Sequence, residues 1–322
     1  MRRVAAGLTC ALVLLALPAC DADEPAKPAA QTTPSPTATP PSTAPPSTAP
    51  TSTSDLCERV LPTLAGDWKA EFRTAFYAPP ADGCRLIDGA QPGHAIRVSV
   101  SILPVSVAEA AAVRRLDEAQ LGTDTVAKII DGGLGADSWA WNPAAAAPRL
   151  AFRTGDRLVR VAAEDFREDG LNELKAIARA IAALPGGIPA PQPVVERPEC
   201  ARGTAAAESL LGSKAVVRRD AVVDGHLFCQ WGTPTRVVQT SSGGIGSDEY
   251  LTFTALRDAG GSQLNITRRV AIGAEGWQQT DGPLAFRTPQ ETFVSIRVAP
   301  FSTMRAIPVA ALARAIEPAY VR

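Results

Sequence analysis

Two histidines, six cysteines and five tryptophans are the residues of this chain with the most chemistry to offer. A serine nucleophile needs a neighbouring base, and a Ser–His–acid triad would have to use His94 or His226. The chain has no Gly-x-Ser-x-Gly elbow and no Ser-x-x-Lys pattern. His94 begins a strand-like run and His226 sits three residues before Cys229, so both read as ordinary surface or turn histidines. The glycine clusters 131–135 and 242–246 lack the Lys-Ser/Thr of a phosphate loop and read as plain loops. Carboxylates are dispersed; an enzyme here would be a hydrolase assembled in space from scattered Asp (Asp220), Ser and His226. Cys57, Cys84, Cys200 and Cys229 match no zinc-ligand spacing, and no metal or cofactor is expected. Among the tryptophans, Trp139 and Trp141 lie two apart and share one strand face. If exposed they would make a platform for a carbohydrate or lipid, with Trp231 and Trp277 as further candidates; the competing reading is core. A net charge of −1 with scattered basic residues excludes a nucleic-acid footprint.

The compartment is written in the first 54 residues. Arg2 and Arg3 precede an apolar run, Val4–Ala16, shorter than the roughly 20 residues that span a bilayer. It ends in Leu17-Pro18-Ala19-Cys20, which resembles the lipobox of bacterial lipoprotein signal peptides. That resemblance implies removal of residues 1–19, acylation of Cys20 by chains such as palmitate, and anchoring to the outer face of the cell membrane. An ordinary secretory signal cut nearby is the alternative, with the same extracytoplasmic destination. Each buried methylene contributes about 0.8 kcal/mol, so two or three chains hold firmly where one does not. Residues 20–54 are dominated by Pro, Thr, Ser and Ala. Without large apolar side chains they cannot offset the entropy of ordering, so a disordered stalk is expected.

The remainder reads as a duplication. Leu-Ala-Phe-Arg-Thr occurs at 150–154 and again at 284–288. Landmarks recur around it in one order: Cys57 then Cys84, Cys200 then Cys229; Gly135-Ala136-Asp137-Ser138-Trp139, then Gly273-Ala274-Glu275-Gly276-Trp277. Each half closes on a helical pattern, Ile177–Ile181 and Leu312–Ile316. Residues 55–186 and 199–322 are therefore expected as two related domains, joined by a proline-rich linker at 187–198. In the first half, alternation predicts a strand over 94–103, and Ser106 with Glu109 predicts a capping box opening a helix to about Gln120. Asp55 with Glu58 suggests a similar start for a first helix. Strands near 138–141, 149–154 and 158–162 follow, then a helix over 171–184. In the second half, a helix over 201–211 should end at Gly212. Strands are expected near 227–231, 249–256, 264–271, 284–287 and 292–298. The middle helix is expected to be missing, with 258–261 as a turn. The Arg and Thr of each repeat should face water.

Four cysteines outside the signal permit three pairings, and the duplication selects Cys57–Cys84 and Cys200–Cys229, one bond per half. Closing a loop of almost thirty residues contributes about 3 kcal/mol by chain entropy. From Glu199-Cys200 through Leu210-Leu211-Gly212 to Cys229-Gln230-Trp231, the second half resembles a family of actinobacterial cell-envelope lipoproteins, and the first half resembles it more loosely. That likeness implies a disulfide-stapled sheet-and-helix unit and brings no catalytic residues. The expected fold class is α+β: two tandem related domains, each a mainly antiparallel sheet packed with helices and stapled by one disulfide. The expected function is that of a lipid-anchored, non-enzymatic lipoprotein. Its partners would be the membrane, through the anchor, and an envelope protein, glycan or lipid, with a cleft between the domains as the place to look.

Overall fold

In the computed structural model, the residues described are 55–72, 78–91, 93–121, 127–143, 147–260, 266–280, 282–299 and 309–321. The expected signal, Cys20 and the expected stalk lie outside them. The first half runs α1 (Asp55–Val60), β1 (Trp68–Phe72), β2 (Ala81–Asp88), β3 (Ala95–Ser101), α2 (Val107–Leu121), β4 (Ala127–Asp131), β5 (Ser138–Pro143), β6 (Arg149–Thr154), β7 (Arg157–Ala163) and α3 (Gly170–Ala182). The second runs α4 (Pro198–Ala201), α5 (Thr204–Leu211), β8 (Val217–Val223), β9 (His226–Gly232), β10 (Val237–Gly243), α6 (Asp248–Gly260), β11 (Thr267–Val270), β12 (Glu275–Gln279), β13 (Leu284–Arg287), β14 (Phe293–Ala299) and α7 (Val309–Ile316).

The halves are two antiparallel sheets, each of seven strands among the described residues. Their strand orders are β1-β2-β3-β7-β6-β5-β4 and β8-β9-β10-β14-β13-β12-β11. The orders coincide element for element, with one helix inserted after the third strand in each. In both halves the disulfide joins the first helical segment to the second strand: Cys57–Cys84 and Cys200–Cys229. A duplicated α+β unit stapled once per copy is therefore what the chain forms.

Side-chain alternation gives each sheet two apolar faces. Leu150 and Phe152 of β6 point into a core closed by α1 and α3, while Ala151 points to the opposite face with Trp139, Leu158 and Val113 of α2. The second copy repeats this: Leu284 and Phe286 face α5 and α7, and Ala285 faces Phe253 and Leu256 of α6. The closing helices bury the same spacing, Leu174, Ile177, Ala178 and Ile181 in α3 and Val309, Leu312, Ala313 and Ile316 in α7. That i, i+3, i+4, i+7 stripe is one helix face. Each fully buried Leu, Ile or Phe contributes about 1.5–3 kcal/mol.

Local signals explain the boundaries. Ser106 and Glu109 form the expected box: the Ser106 N–H donates to the Glu109 carboxylate at 2.8 Å, and the Glu109 N–H to the Ser106 hydroxyl at 3.2 Å. Gly155 takes a φ of +58° in the two-residue turn joining β6 to β7, and Gly212 ends α5 at +75°. The helix expected over 201–211 is broken into α4 and α5 at Gly203, where an added Cβ would lie 2.9 Å from Leu312 and 3.1 Å from Trp231.

Four expectations are corrected. Residues 249–256 are not a strand but the body of α6, and the middle helix is present in both halves. The spacing Phe253, Leu256 places one helix face on the sheet, and that burial outweighs the threonine-rich alternation. Asp258, Ala259 and Gly260 end that helix and do not form a turn between strands. Thr288 does not face water; it is wholly buried, its N–H donating to the Thr292 carbonyl and its hydroxyl accepting the Thr292 N–H. Strands β1, β2, β4, β8, β10 and β12 carry no strong alternation and are additional to those expected.

Candidate functional site

The place where the halves meet is built by residues 78–82 of the first half. Pro80 packs against Gly232 at the end of β9, so closely that a Cβ there would fall 1.9 Å from the Pro80 Cγ. Ala78 joins Val237 and Ala299 of the second half in a small apolar cluster. Beside it Asp82, buried, accepts the Gln192 N–H from the linker at 2.9 Å and lies 2.5 Å from the Arg219 guanidinium of β8. One carboxylate thus ties together the first sheet, the linker and the second sheet. The second copy has no equivalent segment, because β8 and β9 are joined directly through Asp224 and Gly225, both at positive φ.

A recess opens at this seam, lined by Asp82, Val100, Arg157, Ile188 and Gln192 among others, with room for a molecule about the size of water. Arg157 donates its Nε–H to the Ser101 carbonyl. Burial pulls the Arg157 guanidinium below its ordinary value, and Asp82 and Asp156 oppose that. The recess lies between the first half and the linker, with Asp82 and Arg157 as its charged wall.

A second constellation surrounds the staple of the second half. Asp220 of β8 pairs with Cys229 in register, and one carboxylate oxygen lies within 4.8 Å of the sulfurs of Cys200 and Cys229. Those sulfurs are bonded to each other, so neither is a thiolate that could ligate a metal. Asp220 accepts the Arg197 N–H at 2.6 Å and the Arg218 guanidinium at 2.7 Å. Burial raises its carboxyl above the usual range, against the pull of Arg218 and the Arg197 N–H. Two strands on, Thr240 of β10 shares a 2.8 Å hydrogen bond with Tyr320, and burial pushes the Tyr320 phenol upward.

The histidines part company. His226 begins β9 and, by alternation, projects from the sheet face opposite Asp220, whose side chain lies on the Cys229 side. The structure does not bring the two together into an acid–base pair. His94 is not a surface histidine: it is 3 % exposed, with Nδ1 2.8 Å from Asp165, Nε2 3.0 Å from Glu173 and its ring edge-on to Trp68. Burial works to lower its pKa, the two carboxylates outweigh this, and the net displacement is upward. Sequence order could not find this group, because Asp165 and Glu173 lie 71 and 79 residues away.

Of the tryptophans, Trp139 and Trp231 are core. Trp139 donates its indole N–H to the buried Asp117 of α2 at 2.8 Å, and Asp117 also holds Arg160. Trp231 is fully buried and donates to Thr204. Neither offers a ring face to a ligand. Trp277 is half-buried beneath α6 and donates to Glu275. Trp141 lies on the same sheet face as Trp139, half-buried, with the Arg149 guanidinium 4.9 Å from its ring centroid. The expected two-tryptophan platform thus reduces to Trp141 and its stacked arginine. No protein-family model matches the chain, and no curated protein matches it.

Proposed function

We propose that this chain is a lipid-anchored lipoprotein of the bacterial cell envelope whose duplicated domain binds an envelope partner on its surface and carries out no chemistry of its own. The observation that carries this reading is Leu17-Pro18-Ala19-Cys20 closing a short apolar run and followed at once by the Pro/Thr/Ser-rich stalk. The two disulfides support it, because such bonds persist where the surroundings are oxidising. The half-buried Trp141 with Arg149 is the face that sequence and geometry nominate together.

The test is fractionation of the full chain produced in a bacterial host, with mass analysis of its mature N-terminus. Cleavage before Cys20 with an acylated thiol is expected, and Cys20→Ala should move the protein from the membrane to the soluble fraction. A mature N-terminus elsewhere, or an unmodified Cys20, rejects the anchor. Crosslinking from positions beside Trp141 then reports the partner, and Trp141→Ala should abolish the crosslink without changing the unfolding temperature by more than a few degrees.

A further inference from the structure

His94 stands immediately before β3, and Arg236 holds the equivalent position before β10: the fourth residue of each strand, Val98 or Thr240, pairs with that half's cysteine. In the second half the Arg236 guanidinium donates to the Leu211 carbonyl at 3.0 Å, closing the end of α5 with a cation that never loses its proton. The first half puts a titratable group there. An ionised carboxylate only accepts hydrogen bonds, so Asp165 and Glu173 are both satisfied only when both imidazole nitrogens carry protons. The ring itself is cut off from water, so an imidazole nitrogen that loses its proton keeps facing a carboxylate oxygen with no solvent molecule between them, although both carboxylates are themselves partly exposed.

We propose that His94 is a proton-operated latch: as an imidazolium it pins the first turn of α3 and the 164–169 loop to the foot of the first sheet, and its deprotonation loosens α3 while the second half stays closed. The charged groups that act on it are Asp165 from the loop and Glu173 from α3. From β1 it meets only the neutral Trp68, and from the 88–91 turn only main-chain bonds, with the Asp88 N–H donating to the His94 carbonyl and the His94 N–H to the Gln91 carbonyl. The fold favours the protonated ring. The latch therefore contributes fully below the ordinary histidine value and fails as the pH rises through the higher value of the folded state. Because α3 carries Leu174, Ile177 and Ile181 into the first core, its release would uncover apolar surface in one half only.

The latch is independent of the lipoprotein reading and is tested on the full chain by hydrogen exchange across a pH series, normalised to intrinsic rates. Protection over 170–182 is expected to fall about tenfold as His94 titrates, the worth of one charge-assisted hydrogen bond. Protection over 309–316 should stay level. Glu173→Gln keeps an acceptor oxygen and hence the fold, and should move the transition to lower pH; His94→Gln should remove it. With two histidines in the chain, ring resonances give a second reading: His226→Gln assigns the His94 signals, which should titrate above the ordinary histidine value. Parallel loss of protection in both helices, an unmoved transition in Glu173→Gln, or a His94 ring titrating at or below the ordinary value would each overturn the latch.

Discussion

Asp220 shows how a single side chain can be both a fastening and a burden. It holds Arg218 and the start of α4 through the Arg197 N–H, yet burial beside the staple disfavours its charge. With its folded value raised, the native state binds the proton more readily than the unfolded chain does. The Asp220 contribution to stability therefore falls as the pH rises from the ordinary carboxylate range through the folded value, then levels off. Asp220→Asn keeps an oxygen for the Arg197 N–H, and Arg218 retains Glu196 at 3.4 Å. Denaturant titration of both proteins should show wild-type stability, relative to the asparagine variant, declining over that window. Asp220→Ala should instead cost about 3 kcal/mol at neutral pH, because Arg218, mostly buried, loses its closest carboxylate. A difference between wild type and asparagine that does not vary with pH would mean that Asp220 is ordinarily ionised in the fold.

Elements are where sequence and structure diverge most instructively. The capping box at Ser106, the glycine stop at Gly212 and the repeated closing helices were readable, because each depends on residues within one or two turns of each other. The two disulfides were readable because the duplication leaves one of the three possible pairings. Helix α6 was not, and Gly260 shows why. A glycine after Asp258 and Ala259 looks like a turn, but here its missing Cβ lets α6 approach Trp277, whose ring would lie 2.3 Å from an added methyl. That requirement belongs to a residue 17 positions away in a strand the sequence did not reveal. The same limit applies to the site: the seam unites Asp82 with Arg219, and the latch unites His94 with Glu173, by contacts with no local trace. Gly260→Ala is expected to lower stability by about 1–3 kcal/mol through overpacking. Thermal unfolding would read this, and the indole fluorescence of Trp277 should shift with it. An alanine variant as stable as wild type would show that α6 can shift away from the sheet at no cost.

At the scale of the molecule, the seam decides whether two copies behave as one body. Described residues of both halves belong to one compact unit, although each half has its own core and its own disulfide. Among the described residues, the contacts that couple them include Pro80 on Gly232, Ala78 against Val237 and Ala299, and the Asp82 carboxylate shared between Arg219 and the linker. Proline cannot swing aside as a long side chain would, since its ring fixes the backbone. A bulky residue at 232 must therefore displace the whole 78–82 segment, and with it Asp82. Gly232→Val should leave both sheets formed, because the site is at the end of β9 and points at the other half. Calorimetry of the wild type is expected to give one cooperative transition, and the valine variant should split it into two as each stapled half melts alone. Arg219→Ala should produce a milder version, broadening the transition without dividing it. If Gly232→Val instead melted in a single transition at lower temperature, the halves would be one cooperative unit held by more than the seam. If it melted like the wild type, the 78–82 contact would contribute nothing to their coupling.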